Sequence, residues 1–458
     1  MEAIHQPTWR SYVLSAGILH GTVLGLLTNY ARSYILAVIQ RGIVNGGLTI
    51  REGKTAYEFG NIESGENHVT VEVVRDVFWV RLFISHDLGL AEGYMRGDIE
   101  VSSMKNLLNL WLDNKSTLSA LQNTLSSLFA YYSAVAINTL GQSITTSLHN
   151  VQVAYDTSND LFQSFLSKEM MYSCALWSDE EDGVRGDLTV GPKPGDLEAA
   201  QLRKIRHILK QARVGPGSRL LEIGSGWGGM ALEAARQGCT VHTVTLATEQ
   251  KKMVEERARE FGLEDKITVH LCDYRQLPAE FKGSFDALVS CEMVEAVGRR
   301  HLPKYFKMID WALKKDKAAF VVTATAQPEH RYKDYQPDDF ARHYHWPNTH
   351  LPSATSFPVD CQAAVPGKFV LSSVEDHGIH YPRTLREWSR RFQASFKGKL
   401  VDNLKRKFPE LNNPQNLEAF RRKWLYMFVY AEVGYARAYT SLNCWTFARP
   451  ENAAEMCA

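Results

Sequence analysis

The sequence predicts an α/β protein, a doubly wound sheet preceded by a smaller α+β domain. Three observations predict it. Leu220-Leu221-Glu222-Ile223 runs into Gly224-Ser225-Gly226-Trp227-Gly228-Gly229, a buried strand entering a glycine turn and then a helix. From Leu197 onward helical and strand patterns alternate, a rhythm that implies a parallel sheet with helices on both faces. Upstream, Val69-Thr70-Val71-Glu72-Val73 alternates as a half-buried strand should, and residues 104–150 carry helical periodicity.

Taken in order, residues 1–43 form an apolar N-terminal helical segment. Tyr12 to Tyr30 contains no Asp, Glu, Lys or Arg. It approaches the roughly 20 apolar residues that a membrane span needs, but His20, Asn29 and three glycines dilute it. A helix lying at a membrane interface or docked on a core is expected ahead of a transmembrane one. The segment lacks a basic leader and a small-residue cleavage site, which argues against a secretory signal. Residues 44–150 read as an accessory α+β domain, β-rich from about 44 to 100. Residues 151–458 read as the main domain. In it the polar segment Asp179 to Gly195 is a surface loop. Then come helix 198–212, strand 219–223, helix 229–237, strand 240–246, helix 248–261, strands 267–271 and 285–290, helix 301–314 and strand 318–324. Residues 328–368 break the rhythm with prolines and a cluster of His343, Tyr344, His345, Trp346 and His350. They read as a lid-like insertion over a substrate cavity. Leu417–Tyr439 reads as a last helix, and Asn443 to Phe447 as a strand closing the sheet.

The 458 residues suffice for two or three domains. Fifty-two basic against 51 acidic side chains leave a net charge of +1, which gives no case for nucleic acid. Arg386, Arg390, Arg391, Lys397 and Lys399 read either as a contact for anionic lipid head groups or as a solvated helix face. Seven cysteines, an odd number without a CxxC pair, argue against a disulfide framework or a zinc site. They suit a reduced, cytoplasmic setting.

The glycine turn removes the Cβ atoms that would hold a ligand off the backbone, at a helix N-terminus whose N–H groups are free. It fits S-adenosylmethionine (SAM), another nucleotide, or a tight structural turn. A dinucleotide site wants a carboxylate at the end of the next strand. Here that strand ends in Thr245-Leu246, with Gln250 after it, which favours SAM. Asp273, at the carboxyl end of strand 267–271, reads as the acceptor of an adenine amino group or as a helix cap, with Tyr274 beside the ring. Glu295 follows the fourth strand, facing a methyl donor, and Glu292 competes for that place. Tyr172-Ser173-Cys174 offers two hydroxyls, a thiol and aromatic surface. No G-x-S-x-G elbow supports a nucleophile triad.

These residues sit in an ordered series of motifs. It includes Leu88 to Asp98, Asn159-Asp160-Leu161-Phe162, Met171 to Ala175, and Glu198 to Gln201. It continues through Gly224 to Gly229, Thr245 with Gln250, and Asp273-Tyr274-Arg275. Leu351-Pro352-Ser353, Glu375 to Gly378 with His380-Tyr381, and Arg383-Thr384-Leu385 with Trp388 follow. The series resembles the cyclopropane-fatty-acyl-phospholipid synthases and mycolic acid cyclopropane synthases over about nine tenths of the chain. The resemblance implies a class I SAM-dependent methyltransferase fold, a Rossmann-like sheet. It implies cofactor contacts from Tyr172, Ser173, Gly224, Gly226, Trp227, Thr245, Gln250, Asp273 and Tyr274. It also implies a reaction in which a cis alkene of a lipid chain takes the SAM methyl, and proton loss from the cation closes a cyclopropane. A bound bicarbonate is the implied base, and Cys174, Glu295 and Tyr381 match its site. Three positions depart: Thr323, Ala296 and Ala154 stand where histidines are usual, which removes donors around bicarbonate.

The expected partners are an unsaturated phospholipid or other lipid and the membrane surface, with room for a homodimer. A cytoplasmic protein in peripheral membrane association follows. Three functions compete: a cyclopropane synthase on phospholipid acyl chains, a C- or N-methyltransferase on another lipid or specialised metabolite without ring closure, and a non-catalytic SAM- or lipid-binding protein.

Overall fold

A computed structural model describes residues 9–62, 68–120, 159–337 and 339–452. The chain divides into two compact units, Met1–Ala154 with Glu410–Tyr426, and Tyr155–Pro409 with Met427–Ala458.

The first unit holds a four-stranded sheet in the order β2-β1-β3-β4, from β1 (Gly47–Glu52), β2 (Thr55–Gly60), β3 (His68–Val73) and β4 (Ile99–Val101). β1 and β2 form an antiparallel hairpin, and β3 lies parallel to β1. Between β3 and β4 runs a helical stretch, Val77–Arg96, kinked at His86 (φ 48°), where the composition reads as strand. Burial decides it: Phe78, Trp79, Phe83, Ala91 and Met95 are buried together, and that packing overrides the β preference of the aromatic run. Gly97, at φ 73, ends the helix, and its neighbour Asp98 is wholly buried against Arg81 (2.8 Å) and Arg75 (2.7 Å). A single helix occupies Trp9–Gly42. Its Ala31 and Ile35 are buried in the core with Ile50, Val71 and Trp79, whereas Leu26 is 67% exposed. Among the described residues no helix is long and apolar enough to cross a membrane. Helices continue at Met104–Asp113 and Lys115–Ala120, and residues 121–150 lie outside the described residues.

The second unit is built on seven strands in the order β10-β11-β9-β8-β5-β6-β7. They are β5 (Arg219–Ile223), β6 (Thr240–Thr245), β7 (Ile267–Leu271), β8 (Ala287–Cys291), β9 (Ala319–Ala326), β10 (Val370–Asp376) and β11 (Ser441–Ala448). Strands β5 to β9 are mutually parallel. Successive residues of β5 face opposite sides, so Leu221 joins one core with Phe306, Phe320 and Trp445, and Leu220 joins another with Met230, Val241 and Val321.

Two features correct the expected all-parallel sheet. β11 is antiparallel to both neighbours. A parallel strand needs a crossover to the far end of the sheet, but the Pro414–Ala436 helix returns the chain at Thr440, whose hydroxyl donates to the Ala326 carbonyl at the end of β9. β11 therefore runs straight back. β10 has no counterpart in the sequence reading, because it is an edge strand with mostly exposed residues and no apolar run.

The polar segment 179–195 lies largely at the surface, as expected, and is anchored at Glu181 and Gly183. Glu181 is buried on Arg203 (2.7 Å), and the buried Arg383 donates to the carbonyls of Glu181 and Gly183 and to Asp196 (2.8 Å). Arg386 pairs with Asp187 (2.5 Å), Arg390 with Glu387 (2.6 Å), and Arg391 with Glu198 (2.8 Å), so these three cations are neutralised within the unit. Lys397 and Lys399 are exposed. The insertion after β9 is partly core: Phe357 and Cys361 of the Ser356–Ala364 helix pack into the sheet's apolar layer.

Candidate active site

The glycine turn lies at the carboxyl end of β5. Gly224, Gly226 and Gly228 all have positive φ (94°, 46° and 87°), a region that only glycine enters without steric cost. Their surroundings differ. A Cβ at Gly228 would lie 3.1 Å from Val254, so that glycine permits close packing. A Cβ at Gly226 would meet nothing within 4 Å, so this backbone borders open space that a ligand can fill. Beside it, Leu246 and Leu271 follow or end β6 and β7 with 75% and 47% of their surface exposed. Two exposed leucines at the carboxyl edge of a sheet offer an apolar seat for a flat ring. Sequence reasoning missed both; the signal was an apolar residue at a strand's end where a polar one is usual.

Around this edge the remaining residues are positioned by one another. The Thr245 hydroxyl donates to Gln250 Oε1 (2.8 Å) and accepts from the Ala247 N–H (3.1 Å). Asp273 caps the turn Tyr274–Gln276, accepting from the Arg275 N–H (2.8 Å) and its guanidinium (2.9 Å). That guanidinium holds the Asp273 carboxyl below the usual range. The structure shows the cap of the two readings of Asp273, with both carboxylate oxygens on Arg275. The Tyr274 ring packs 5.6 Å from Tyr305.

Tyr172-Ser173-Cys174 crosses the same end of the sheet. The Tyr172 ring packs against Phe162 (5.0 Å) and Trp388 (5.3 Å), and Trp227 lies 4.6 Å from Phe162 with its indole N–H on Asn159 (2.8 Å). Ser173 is buried; its carbonyl accepts from Gln201 (2.7 Å) and its hydroxyl from the Lys204 ammonium. Lys204, 4% exposed, also reaches Cys291 Sγ at 3.5 Å. This buried cation was missed too. Its helix, Asp196–Gln211, is legible, but only packing shows which of its lysines faces inward.

Two carboxyl groups meet here, Glu295 buried and Glu292 partly buried. Glu292 accepts from the Cys174 backbone N–H (2.9 Å) and from the Tyr381 hydroxyl (2.7 Å). Its φ of 49° is the left-handed conformation, which costs a non-glycine residue of order 1–3 kcal/mol and persists only where the surroundings enforce it. Glu295 Oε1 accepts from the Thr325 N–H (2.7 Å), while its Oε2 is buried without a hydrogen-bond partner among the described residues. The lid-like insertion reaches this point, where the His350 N–H donates to the Glu295 carbonyl (2.9 Å). Burial raises the Glu292 carboxyl, against Lys204 and Tyr381, which lower it. Burial and the charge of Glu292 push Glu295 up to about 8. The two titrate as a pair. Glu292, with two donors and a nearby ammonium, is the better placed of the two to hold a negative charge, and Glu295 keeps its proton at neutral pH. Tyr381 stacks on Tyr435 at 4.2 Å, and burial pushes both phenols up, as it does the Cys174 thiol. Cys174 is therefore a buried, protonated thiol and a poor nucleophile.

Of the three expected catalytic side chains, the structure joins Cys174 and Tyr381 through Glu292, while Glu295 is held separately by Thr325. Bicarbonate does not fit this set. The Cys174 N–H and the Tyr381 hydroxyl are spent on Glu292, and a further anion would enter a water-poor space beside two carboxyl groups. Thr323 donates to Cys291 Sγ (3.4 Å), Ala296 is exposed and brings no donor, and Ala154 lies outside the described residues. Elsewhere, His207 and His377 share one Glu375 oxygen (2.6 and 3.0 Å), with Gln211 on the other, a hydrogen-bonded set among the described residues that could also hold a metal ion.

Comparison with known proteins shows the family and the fold. The family model for mycolic acid cyclopropane synthetase matches residues 142–425. Tuberculostearic acid methyltransferase UfaA1 of Mycobacterium tuberculosis is 33% identical over 303 residues, 66% of this chain and 65% of that protein. The match thus spans just under two thirds of that relative's length. Cyclopropane-fatty-acyl-phospholipid synthase of Escherichia coli K12 is 30% identical over 351 residues, covering 76% and 82%. Sphingolipid C9-methyltransferase of Candida albicans is 30% identical over 54% of the chain and 46% of its own length. Among solved structures, mycolic acid cyclopropane synthase CmaA1 complexed with SAH and CTAB aligns with a TM-score of 0.52 at 24% identity, over 66% of this chain and 98% of that one. Coclaurine N-methyltransferase aligns with a TM-score of 0.58 at 17% identity, over 79% and 99%. These two show the fold. The chain belongs to the mycolic acid cyclopropane synthetase family, a SAM-dependent methyltransferase on the class I fold.

Proposed function

We propose that this protein transfers the methyl of SAM to the cis double bond of an unsaturated phospholipid acyl chain and closes a cyclopropane ring. The observation that carries the reading is a pair of carboxyl groups, Glu292 holding the Tyr381 hydroxyl and Glu295 pushed up to about 8, beside the stacked rings of Tyr381 and Tyr435 at the edge that carries the glycine turn. When bound, SAM supplies an electrophilic methyl. The protein's own part is to seat it and to manage the charge that follows. Gly226 and the exposed Leu246 and Leu271 fit an adenosine, and Asp273 fits its amino group. Attack by the alkene leaves a positive charge on the neighbouring carbon. Aromatic faces stabilise such a cation where water is excluded. The relatives named for fatty-acyl, tuberculostearic and sphingolipid substrates support a lipid as the acceptor.

A second reading is methyl transfer without ring closure, to another lipid or a specialised metabolite. Thr323 and Ala296 at usual histidine positions favour it, as do relatives named as methyltransferases. One assay separates them. Incubation with SAM and oleoyl phospholipid vesicles should give an acyl chain one methylene heavier, with no alkene and a ring seen by NMR. A methyl-branched or methylene product selects the second reading, and no product from any lipid or amine extract overturns both.

A further inference from the structure

We propose that the Glu292 carboxylate is this protein's own proton acceptor, a built-in anion in the place where the family reaction would hold a bicarbonate. This rests on the lipid methyl-transfer reading above. Four observations converge on Glu292. It takes two strong donors that a small anion would otherwise use, the Cys174 N–H at 2.9 Å and the Tyr381 hydroxyl at 2.7 Å. Its backbone is held left-handed at φ 49, next to Cys291 at the end of β8, a conformation in which glycine would be the comfortable residue. Lys204 is buried on the same side and lowers the proton affinity of the carboxylate. Finally, the histidine donors that would help to hold a free anion are absent, with Thr323 turned to Cys291 and Ala296 carrying no polar atom.

The groups that face Glu292 are Cys174, Tyr381, Lys204 and Glu295, and they divide the labour. Tyr381 and Cys174 stay protonated, Lys204 supplies the positive charge, and Glu295 stays neutral beside it. The donors and the ammonium gather on Glu292, so a negative charge in this site is best held there. The chemistry balances without an added reagent. The alkene pair forms a bond to the transferred carbon, and the carbon–sulfur pair stays on sulfur. A proton then passes from that carbon to Glu292, and the C–H pair closes the third ring bond. The carboxyl loses its proton before the next turnover.

Two measurements test the proposal on the full-length protein. The first is binding of ¹³C-bicarbonate, and of formate, to wild type and to Glu292→Gly, followed by NMR. Glycine suits the local φ, so this variant should fold and bind SAM as wild type does. The variant should gain an anion site, and wild type should show none at a concentration that saturates the variant. Equal binding to both proteins overturns the proposal. The second is turnover in carbonate-free buffer. Wild type should keep its rate when bicarbonate is removed. Glu292→Gln should lose on the order of 10²–10³-fold in kcat at unchanged SAM affinity, as removal of a general base does. Formate should restore part of the rate to Glu292→Gly. A wild-type rate that collapses without bicarbonate, or full turnover by Glu292→Gln, overturns the proposal. If wild type turns over no lipid at all, the functional reading fails, and the anion-binding arm still decides whether Glu292 fills the anion site.

Discussion

The Tyr381 hydroxyl donates to Glu292 Oε2 at 2.7 Å, so a protein proton caps a carboxylate three residues before the expected Glu295. The bond stabilises the charged form of Glu292, and its loss has a defined sign. Tyr381→Phe should raise the Glu292 proton affinity and move the acidic limb of the kcat/KM profile to higher pH. A hydrogen bond to a charged group is worth about 1.5–3 kcal/mol, which corresponds to a displacement of roughly one to two pH units. An unmoved limb would show that Glu292 does not titrate in the reaction.

Glu295 makes the opposite prediction. Burial and Glu292 push it up to about 8, so it is neutral at pH 7 and gains its charge only in mild alkali. Turnover should fall as pH rises through about 8, when a second negative charge enters the pocket. Glu295→Gln, which resembles the protonated acid, should leave SAM affinity and turnover at neutral pH near wild type and flatten that alkaline fall. A variant that keeps the wild-type profile would remove Glu295 from the site.

Gly226 bears on the cofactor. Its missing side chain faces open space, whereas that of Gly228 faces Val254. Gly226→Leu should fill the space and abolish SAM binding by calorimetry. Its positive φ adds a cost on the order of 1 kcal/mol, so the melting temperature should drop by only a few degrees. Undiminished SAM affinity in a folded Gly226→Leu protein would move the cofactor elsewhere.

Glu222, the fourth residue of β5, gives a stability prediction. It is 3% exposed, and burial pushes its carboxyl up to about 8 from an ordinary 4.5. A carboxyl raised in the folded state contributes its full stability below about pH 4.5. It loses that contribution as pH rises from there through about 8, because the unfolded chain ionises first. Glu222→Gln keeps the shape without the ionisation. Thermal unfolding measured from pH 5 to 8 should therefore show a shallower decline in the variant, and parallel curves would refute the assignment.

Much of the second unit was legible in the chain. β5, the glycine turn, β6 and β7 follow from apolar runs broken by glycine, because a buried parallel strand must be apolar on both faces and leaves a strong local signal. The motif series singled out Cys174 and Tyr381, which the fold brings to one carboxylate, Glu292. What escaped was whatever depends on a partner distant in sequence. β10 is exposed and carries no apolar pattern, so only its pairing with β11 makes it a strand. The Val77–Arg96 helix is rich in strand formers, and its burial stripe alone decides its form.

The sequence by itself determined the order of the parallel strands β5 to β9, the glycine turn after β5 and the pair of carboxyls, Glu292 and Glu295, after β8. It could not choose between them, since residues three apart in a short turn differ in neighbours and not in pattern. The tertiary structure decided which one receives the donors. Cys174 lies 118 residues before Glu292 and Tyr381 lies 89 after it, and only folding brings their N–H and O–H to one carboxylate. Proton affinity follows from those contacts: donors and an opposite charge lower it at Glu292, whereas Glu295, beside another carboxyl, is pushed up to about 8.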